Sequence, residues 1–192
     1  VVLYALAARV DPALSGREKV LWLVNRAREY LPDTSKSADV VDFVLADYLA
    51  NPDVNNWELT RDRIYDRYNI HAGANGFVYQ DWFESSINLA TGVMALLYGE
   101  GDYRRTVQVG TMSGWDSDNG TATMGGLLGL MGGRALVQSA FPGSNLSDLF
   151  DIDSRRDNLP DYVPTHAGAE DTLTMMAERM LPTVRTNIER IE

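Results

Sequence analysis

The sequence predicts an all-α protein, built as a compact bundle of several helices. In several segments, apolar residues recur at the three- and four-residue spacing of a helix face. The clearest example is the group Val40, Val41, Val44, Leu45, Tyr48 and Leu49. No segment shows the alternation of apolar and polar residues that marks a half-buried strand. Both observations favour helices along the whole chain.

The first part of the chain predicts three helices. Val1 to Arg9 is typical of the end of an apolar helix. Ser15-Gly-Arg-Glu18 fits a capping box, which predicts a second helix running to Tyr30 and ending before Pro32. The third helix begins at Ser35 or Ser37 and ends at Asn51-Pro52. The side of the second helix that we expect to be buried consists of Val20, Leu21, Leu23, Val24 and Ala27.

Three further helices are predicted before the middle of the chain. Trp57 to Tyr68 carries arginines and acids, which is typical of a solvated face. Phe83 to Tyr98 is strongly apolar and contains Asn88, whose burial would require hydrogen-bond partners from another helix or from a ligand. Asp102 is placed to cap a short helix over Tyr103 to Ser113.

Two carboxylates then lie one residue apart, Asp116 and Asp118, in a glycine-bounded turn that leads into a helix. The preceding basic residues are as far back as Arg104 and Arg105, so the pair has no close cation in sequence. Paired carboxylates repel each other, and hard divalent cations relieve that repulsion. Helix capping explains the same residues without a metal. An EF-hand is excluded, because Leu127 occupies the position of its bidentate glutamate.

The helix after this turn is rich in glycine. Gly125, Gly129 and Gly133 recur every four residues, which places them on one helix face. Each interior glycine costs a helix about 1 kcal/mol relative to alanine, so the run requires a packing reason. We expect this face to lie against the backbone of another helix.

The last part of the chain predicts a mixed segment, a surface loop and a final helix. Arg134 to Phe150 is broken by Pro142-Gly143, and Asp151 to Asp157 is an acidic run with its own arginines. Glu170 to Ile191 predicts a helix interrupted by Pro182. The residues expected to face inward from it are Leu173, Met176, Met180 and Leu181.

Composition excludes several classes of function. The chain has 192 residues, a formal net charge of −10 and no cysteine. This charge argues against a nucleic-acid surface, and the lack of cysteine excludes disulfides and thiol nucleophiles. Its two histidines, His71 and His166, are far apart, which disfavours a histidine-based zinc site. No apolar run is long enough to span a membrane and no signal peptide is evident, so we expect a cytoplasmic protein.

Two stretches resemble the ADP-ribosylglycohydrolase family, which includes dinitrogenase-reductase-activating glycohydrolases and J-type crystallins. They are the run from Asn88 to Tyr103, with its Gly-Glu-Gly-Asp-Tyr ending, and Gly114-Trp-Asp-Ser-Asp with the helix behind it. The resemblance implies that Asp116 and Asp118 bind two Mg²⁺ or Mn²⁺ ions. Asn119 stands where the family usually has a threonine, and it is a possible third ligand. The substrate contacts that the resemblance implies are Asn88, Gly114 and Trp115.

The activity that the resemblance implies is metal-dependent hydrolysis of the glycosidic bond in an ADP-ribosylated protein or a small ADP-ribose conjugate. The alternative is a non-catalytic crystallin-like or interaction protein of the same fold. The family's Thr-Asp-Asp metal triad and its glutamate, which acts on water, have no counterpart in these residues. We therefore expect residues 1–192 to form one all-α domain, the C-terminal part of a longer one. Its partner would be the N-terminal half of the same fold, and no catalytic residue is assigned within the chain.

Overall fold

The computed structural model describes residues 2–51, 53–148 and 172–189, and these residues are helical without a β-strand. The all-α prediction is confirmed. The chain divides into two compact units, Val1–Gly143 and Ser144–Glu192. The first unit contains α1 (Val2–Ala7), α2 (Gly16–Arg28), α3 (Lys36–Ala50), α4 (Trp57–Tyr65), α5 (Ser85–Gly99), α6 (Tyr103–Met112) and α7 (Ser117–Ala140). The second unit contains α8 (Leu173–Glu189).

Helix α5 lies at the centre of the first unit. It carries no charged residue, and its whole second half, from Ala90 to Gly99, is buried. A helix that is apolar on every side has to be covered on every side, and α5 packs against α2, α3, α4, α6 and α7. It therefore fixes the positions of the helices on which the candidate site is built.

Local capping signals set the starts of three surrounding helices as predicted. Ser15 Oγ accepts from the Glu18 N–H, and a Glu18 carboxylate oxygen accepts from the Ser15 N–H, so the capping box of α2 is confirmed. Ser35, rather than Ser37, caps α3 by accepting from the Ala38 N–H. The carboxylate of Asp102 accepts from the Arg105 N–H at 2.6 Å and caps α6.

The arginines of the predicted helix Trp57 to Tyr68 contact α3 instead of being only solvated: Arg63 lies on α4 and Arg67 lies in the turn directly after it. Arg63 pairs with Asp47, and Arg67 donates to both carboxylate oxygens of Asp39 at 3.0 Å. The Arg67 guanidinium also lies over the Phe43 ring, 4.9 Å from its centroid. Beyond Tyr65 the α-helix gives way to a π-helical turn, Asp66–Ile70.

Two details of α3 and α7 differ from the prediction. Leu49, in the last turn of α3, is 58% exposed and does not belong to the buried face of this helix. Helix α7 continues to Ala140 through the segment expected to be mixed, and it changes direction at Gly133 (φ 66°, ψ −174°).

The predicted glycine face of α7 is wrong as a continuous packing surface. A Cβ on Gly125 would lie 3.2 Å from Tyr103 Oη, so this glycine does permit a close approach to α6. A Cβ on Gly129 would meet only Val137 Cγ2, at 3.9 Å, which is ordinary contact. Gly133 supplies the left-handed backbone of the change in direction, so it cannot belong to a helical stripe.

In the second unit, α8 begins where the Leu173 N–H donates to the Asp148 carbonyl at 2.8 Å. Leu173, Met180 and Leu181 are 42%, 56% and 45% exposed, so their predicted inward orientation is wrong. Met176 is half-buried. The acidic run Asp151 to Asp157 lies outside the described residues.

The close approach of α5 and α6 gives a stability prediction. A Cβ on Gly99 would lie 2.8 Å from Thr106 Cβ and 2.9 Å from its Cα, and the backbone atom cannot rotate away. We expect Gly99→Ala to lower the free energy of unfolding by about 1–3 kcal/mol. Gly129→Ala is the matched control and should be neutral or stabilising by up to about 1 kcal/mol. Urea denaturation measures both, and equal stability of the two variants would contradict this packing.

Candidate metal centre

The candidate site is built on the connection between α6 and α7. Two consecutive residues there have left-handed backbone, Gly114 at φ 96° and Trp115 at φ 56°. Glycine adopts this conformation freely, whereas a bulky residue such as tryptophan does so at a cost. The two residues turn the chain sharply, so that Asp116 stands at the first position before α7. Trp115 is held by packing against the core and against the Tyr65 ring, with 6.1 Å between centroids.

The turn brings the side chains of Asp116 and Asp118 together, as the sequence predicts. The pKa of Asp116 is raised above its ordinary value of 3.8, first by partial desolvation and then by the hydrogen bond and the negative charge of Asp118. Asp116 is half-buried, whereas Asp118 is exposed. The two carboxyl groups are thus close enough for either a proton or a cation to relieve their repulsion.

Helix capping does not explain Asp116. Within the described part of the chain, its side chain forms no capping hydrogen bond, although it occupies the capping position of α7. Asp102 shows the contrast, because its carboxylate does cap α6. Asp116 keeps its carboxylate turned towards Asp118, which leaves its oxygens available for a different partner.

No arginine or lysine of the described residues forms an ion pair with Asp116 or Asp118. Arg105, the nearest cation before the turn in sequence, donates instead to the carbonyls of Tyr98 and Val54. The same ranges contain no cluster of three or more His, Asp or Glu residues placed to hold a metal ion. The described residues therefore supply two carboxylates, and a complete coordination shell would need further ligands.

Asn88 connects α5 to the acidic turn. Its Oδ1 accepts from the backbone N–H of Asp116 at 2.9 Å. Its Nδ2 donates to the carbonyls of Trp82 and Glu84, each at 2.9 Å. The partners of this asparagine are thus backbone groups of two connecting segments. The sequence left open a partner from another helix or from a ligand, and the observed partners are neither.

A pocket of about 320 Å³ adjoins the turn, between the first turns of α5 and α7. Its lining residues are Phe83, Ser85, Asn88, Leu89, Gly92, Asp116, Asn119, Gly120, Thr123 and Met124. Of the predicted site residues, the pocket brings together Asn88, Asp116 and Asn119. Asp118 lies beside Asp116 on the exposed side, and Gly114 and Trp115 form the turn behind them.

The sequence analysis missed Phe83 and the small residues that line the pocket. Phe83 and its neighbour Trp82 are 58% and 53% exposed, with their rings in edge contact. Two adjacent aromatic residues at the start of a predicted helix could have indicated an exposed aromatic surface there. Gly120 and Thr123 gave no signal, because their role depends on facing a helix that is distant in sequence.

The first unit is thus an all-α bundle with an acidic pair at the start of a glycine-rich helix. Asp116 occupies the capping position of this helix without forming a capping hydrogen bond. The model of the ADP-ribosylglycohydrolase family matches residues 2–179, and the chain belongs to this family of hydrolases. No curated protein and no solved structure matches the chain. Among the described residues, no helix is both long and apolar enough to cross a bilayer.

The proximity of the two carboxyl groups predicts a pH-dependent contribution to stability. Because the folded-state pKa of Asp116 is raised, the native state holds this proton more tightly than the unfolded chain does. The contribution is fully present below about pH 3.8, the ordinary value, and is lost as pH rises through the folded pKa. Asp118→Asn removes one of the causes, so we expect it to lower the pKa of Asp116.

The measurement is a carboxyl ¹³C titration of Asp116 by NMR without added metal. Asp62→Asn is the control, because Asp62 is an exposed carboxylate that pairs with its neighbour Arg61 on α4, away from the acidic turn. A pKa of Asp116 that is the same in the Asp118→Asn variant as in the parent would show that the two carboxyl groups do not interact.

Proposed function

We propose that this protein hydrolyses the glycosidic bond of an ADP-ribosylated protein or a small ADP-ribose conjugate. In this proposal two Mg²⁺ or Mn²⁺ ions are held in part by Asp116, Asp118 and Asn119. The observation that carries it is the pair of neighbouring carboxyl groups at the start of α7: Asp116 makes no capping hydrogen bond and lines a pocket, and Asp118 lies beside it, in a member of this hydrolase family. The acceptor to which the ADP-ribose is attached is left open.

The donor set fits a hard divalent cation. Asp116 and Asp118 present only oxygen atoms, which Mg²⁺ and Mn²⁺ prefer, and no described cation neutralises them. Asn119 follows directly and lines the same pocket, so its side-chain oxygen can join the set. A cation at the pair would lower the repulsion between the two carboxylates.

When bound, such ions would supply Lewis-acid stabilisation and orient the hydroxyl groups of the ribose. The residues of the chain have separate tasks in this proposal. Asp116 and Asp118 bind the cation, and the pocket receives a part of the substrate. The pocket wall is apolar at Phe83, Leu89 and Met124, which suits a sugar face or a ring and excludes water from it.

Gly114 and Trp115 act through the shape of the turn. The Trp115 ring packs against Tyr65 and the core, and Trp115 is not among the residues that line the pocket. We therefore propose that it supports the carboxylates rather than contacting substrate. A non-catalytic member of the same fold remains the alternative function, and it would keep the pocket while releasing no ADP-ribose.

The first test changes the carboxylates. Asp116→Asn and Asp118→Asn should each weaken Mn²⁺ binding at least about tenfold and abolish metal-dependent release of ADP-ribose. The melting temperature should stay equal or rise, because each change removes a charge from a repelling pair. Calorimetric titration with Mn²⁺ and an ADP-ribose release assay on N- and O-linked conjugates measure the two effects. The assay uses the full-length protein, as its natural host produces it.

Asp62→Asn serves again as the control and should change neither quantity. Parent-like Mn²⁺ affinity and activity in both carboxylate variants would contradict the proposal. Mn²⁺ binding by the parent without release from any conjugate would favour the non-catalytic alternative.

The second test changes the pocket and leaves the carboxylates in place. A Cβ on Gly120 would meet no atom within 4 Å, so a larger side chain can enter the pocket without disturbing the helix. Gly120→Leu should raise the KM for the conjugate, or the Kd for ADP-ribose, at least about tenfold while leaving Mn²⁺ affinity unchanged. Gly120→Ala is the graded control, with a smaller effect. A leucine variant that binds ADP-ribose like the parent would show that substrate does not use this pocket.

A further inference from the structure

We infer that Asn88 is a positioning residue that fixes the acidic turn and the pocket rim relative to each other, rather than a ligand to substrate. By the pocket rim we mean residues 82–84, the loop before α5. The functional meaning of this inference rests on the proposed function, because the turn carries the proposed metal ligands.

The amide of Asn88 is already largely occupied. An asparagine side chain offers two N–H donors and one oxygen with two lone pairs. Both donors of Asn88 are used, on the carbonyls of Trp82 and Glu84, and its oxygen accepts from the Asp116 N–H. A substrate group could engage the donors only by breaking one of these bonds. Although Asn88 borders the pocket, its side-chain hydrogen bonds are therefore made to backbone groups of the protein.

The bond to Asp116 determines where this carboxylate points. The Asp116 carbonyl accepts from the Gly120 N–H at 3.2 Å, which ties the residue to α7. The bond from its N–H to Asn88 ties it to α5. With both backbone groups held, Asp116 has little freedom in φ and ψ. The preceding Trp115, at φ 56°, is in a conformation that needs such support.

The other two bonds determine the position of the pocket rim. The carbonyls of Trp82 and Glu84 flank Phe83, whose half-exposed ring lines the pocket. Among the described residues the rim has two backbone bonds as well: the Glu84 N–H donates to the Asp81 carbonyl at 3.1 Å, and the Glu84 carbonyl accepts from the Asn88 backbone N–H at 3.2 Å. The Asn88 side chain adds two bonds to this rim and one to the acidic turn, and it thereby links the two. Residues that orient metal ligands in this way commonly change metal affinity 10–100-fold when they are replaced.

The test separates the bond that Asn88 accepts from the acidic turn from the two bonds that it donates to the pocket rim. Asn88→Leu has a similar shape and loses all three bonds, whereas Asn88→Asp keeps an acceptor for Asp116 but cannot donate to the rim. Amide hydrogen exchange, measured without metal, follows each part separately: the Asp116 N–H reports on the turn, and the Glu84 N–H reports on the rim. Calorimetric titration with Mn²⁺ alone reports on the turn. Asn25→Leu is the matched control, because within the described ranges the Asn25 amide donates only to the Leu21 carbonyl of its own helix.

We expect Asn88→Leu to exchange about tenfold faster at both amides and to bind Mn²⁺ at least about tenfold more weakly. Asn88→Asp should exchange faster at Glu84 and retain the parent rate at Asp116. Asn25→Leu should match the parent at both amides and in Mn²⁺ affinity.

The same exchange rate at Asp116 in the leucine and aspartate variants, whether slow or fast, would overturn the inference. So would parent-like Mn²⁺ affinity in the leucine variant when the parent binds Mn²⁺. If the parent binds no Mn²⁺, the proposed function fails, and the exchange rates still decide whether Asn88 positions the turn.

Discussion

The burial of α5 on every side is the constraint on which the rest of the first unit depends. Each large apolar side chain that this helix buries, such as Ile87, Met94 or Leu96, contributes about 1.5–3 kcal/mol through removal of apolar surface from water, provided that its neighbours pack against it. The few polar groups of α5 must then find partners inside the protein. At one end the Tyr98 hydroxyl lies 2.6 Å from Thr60 Oγ1 and accepts from Asn51 Nδ2 at 2.8 Å. At the other end Asn88 meets the acidic turn.

This arrangement gives the acidic turn a rigid support. A turn with left-handed backbone at two successive residues is unfavourable alone, and it persists when surrounding contacts determine it. The contacts here are the Asn88 bond on one side and the packing of Trp115 on the other. Because these contacts tie the turn to α5 and to the core, the two carboxylates can be held close together despite their repulsion. The fold thus contributes to the site by keeping Asp116 and Asp118 in contact before any ligand binds.

The sequence was sufficient where the signal is local. The caps at Ser15 and Asp102 were predictable because each cap and its partner lie within three residues. The acidic pair was predictable for the same reason, and the family resemblance added what the pair would bind. The strongly apolar composition of α5, without a charged residue, likewise favoured a helix packed in the core.

What the sequence could not supply depends on contacts between distant segments. The partners of Asn88 come from the loop before α5 and from a turn 28 residues further along the chain. Arg67 looks like part of a solvated face until the position of Asp39 is known. The glycine stripe of α7 failed as a prediction because the helix changes direction at Gly133, and periodicity assumes a straight helix. Phe83 enters the site only because α5 and α7 begin side by side.

The central claim is that Asp116 and Asp118 together bind a divalent cation, and anomalous scattering tests it most directly. Crystals of the protein grown with excess Mn²⁺ would be measured at a wavelength where manganese scatters anomalously. We expect an anomalous peak coordinated by carboxylate oxygens of both residues, with a distance of about 2.0–2.2 Å for a small octahedral cation. A structure in which the two carboxyl groups remain hydrogen-bonded to each other, with no peak beside them, would contradict the account.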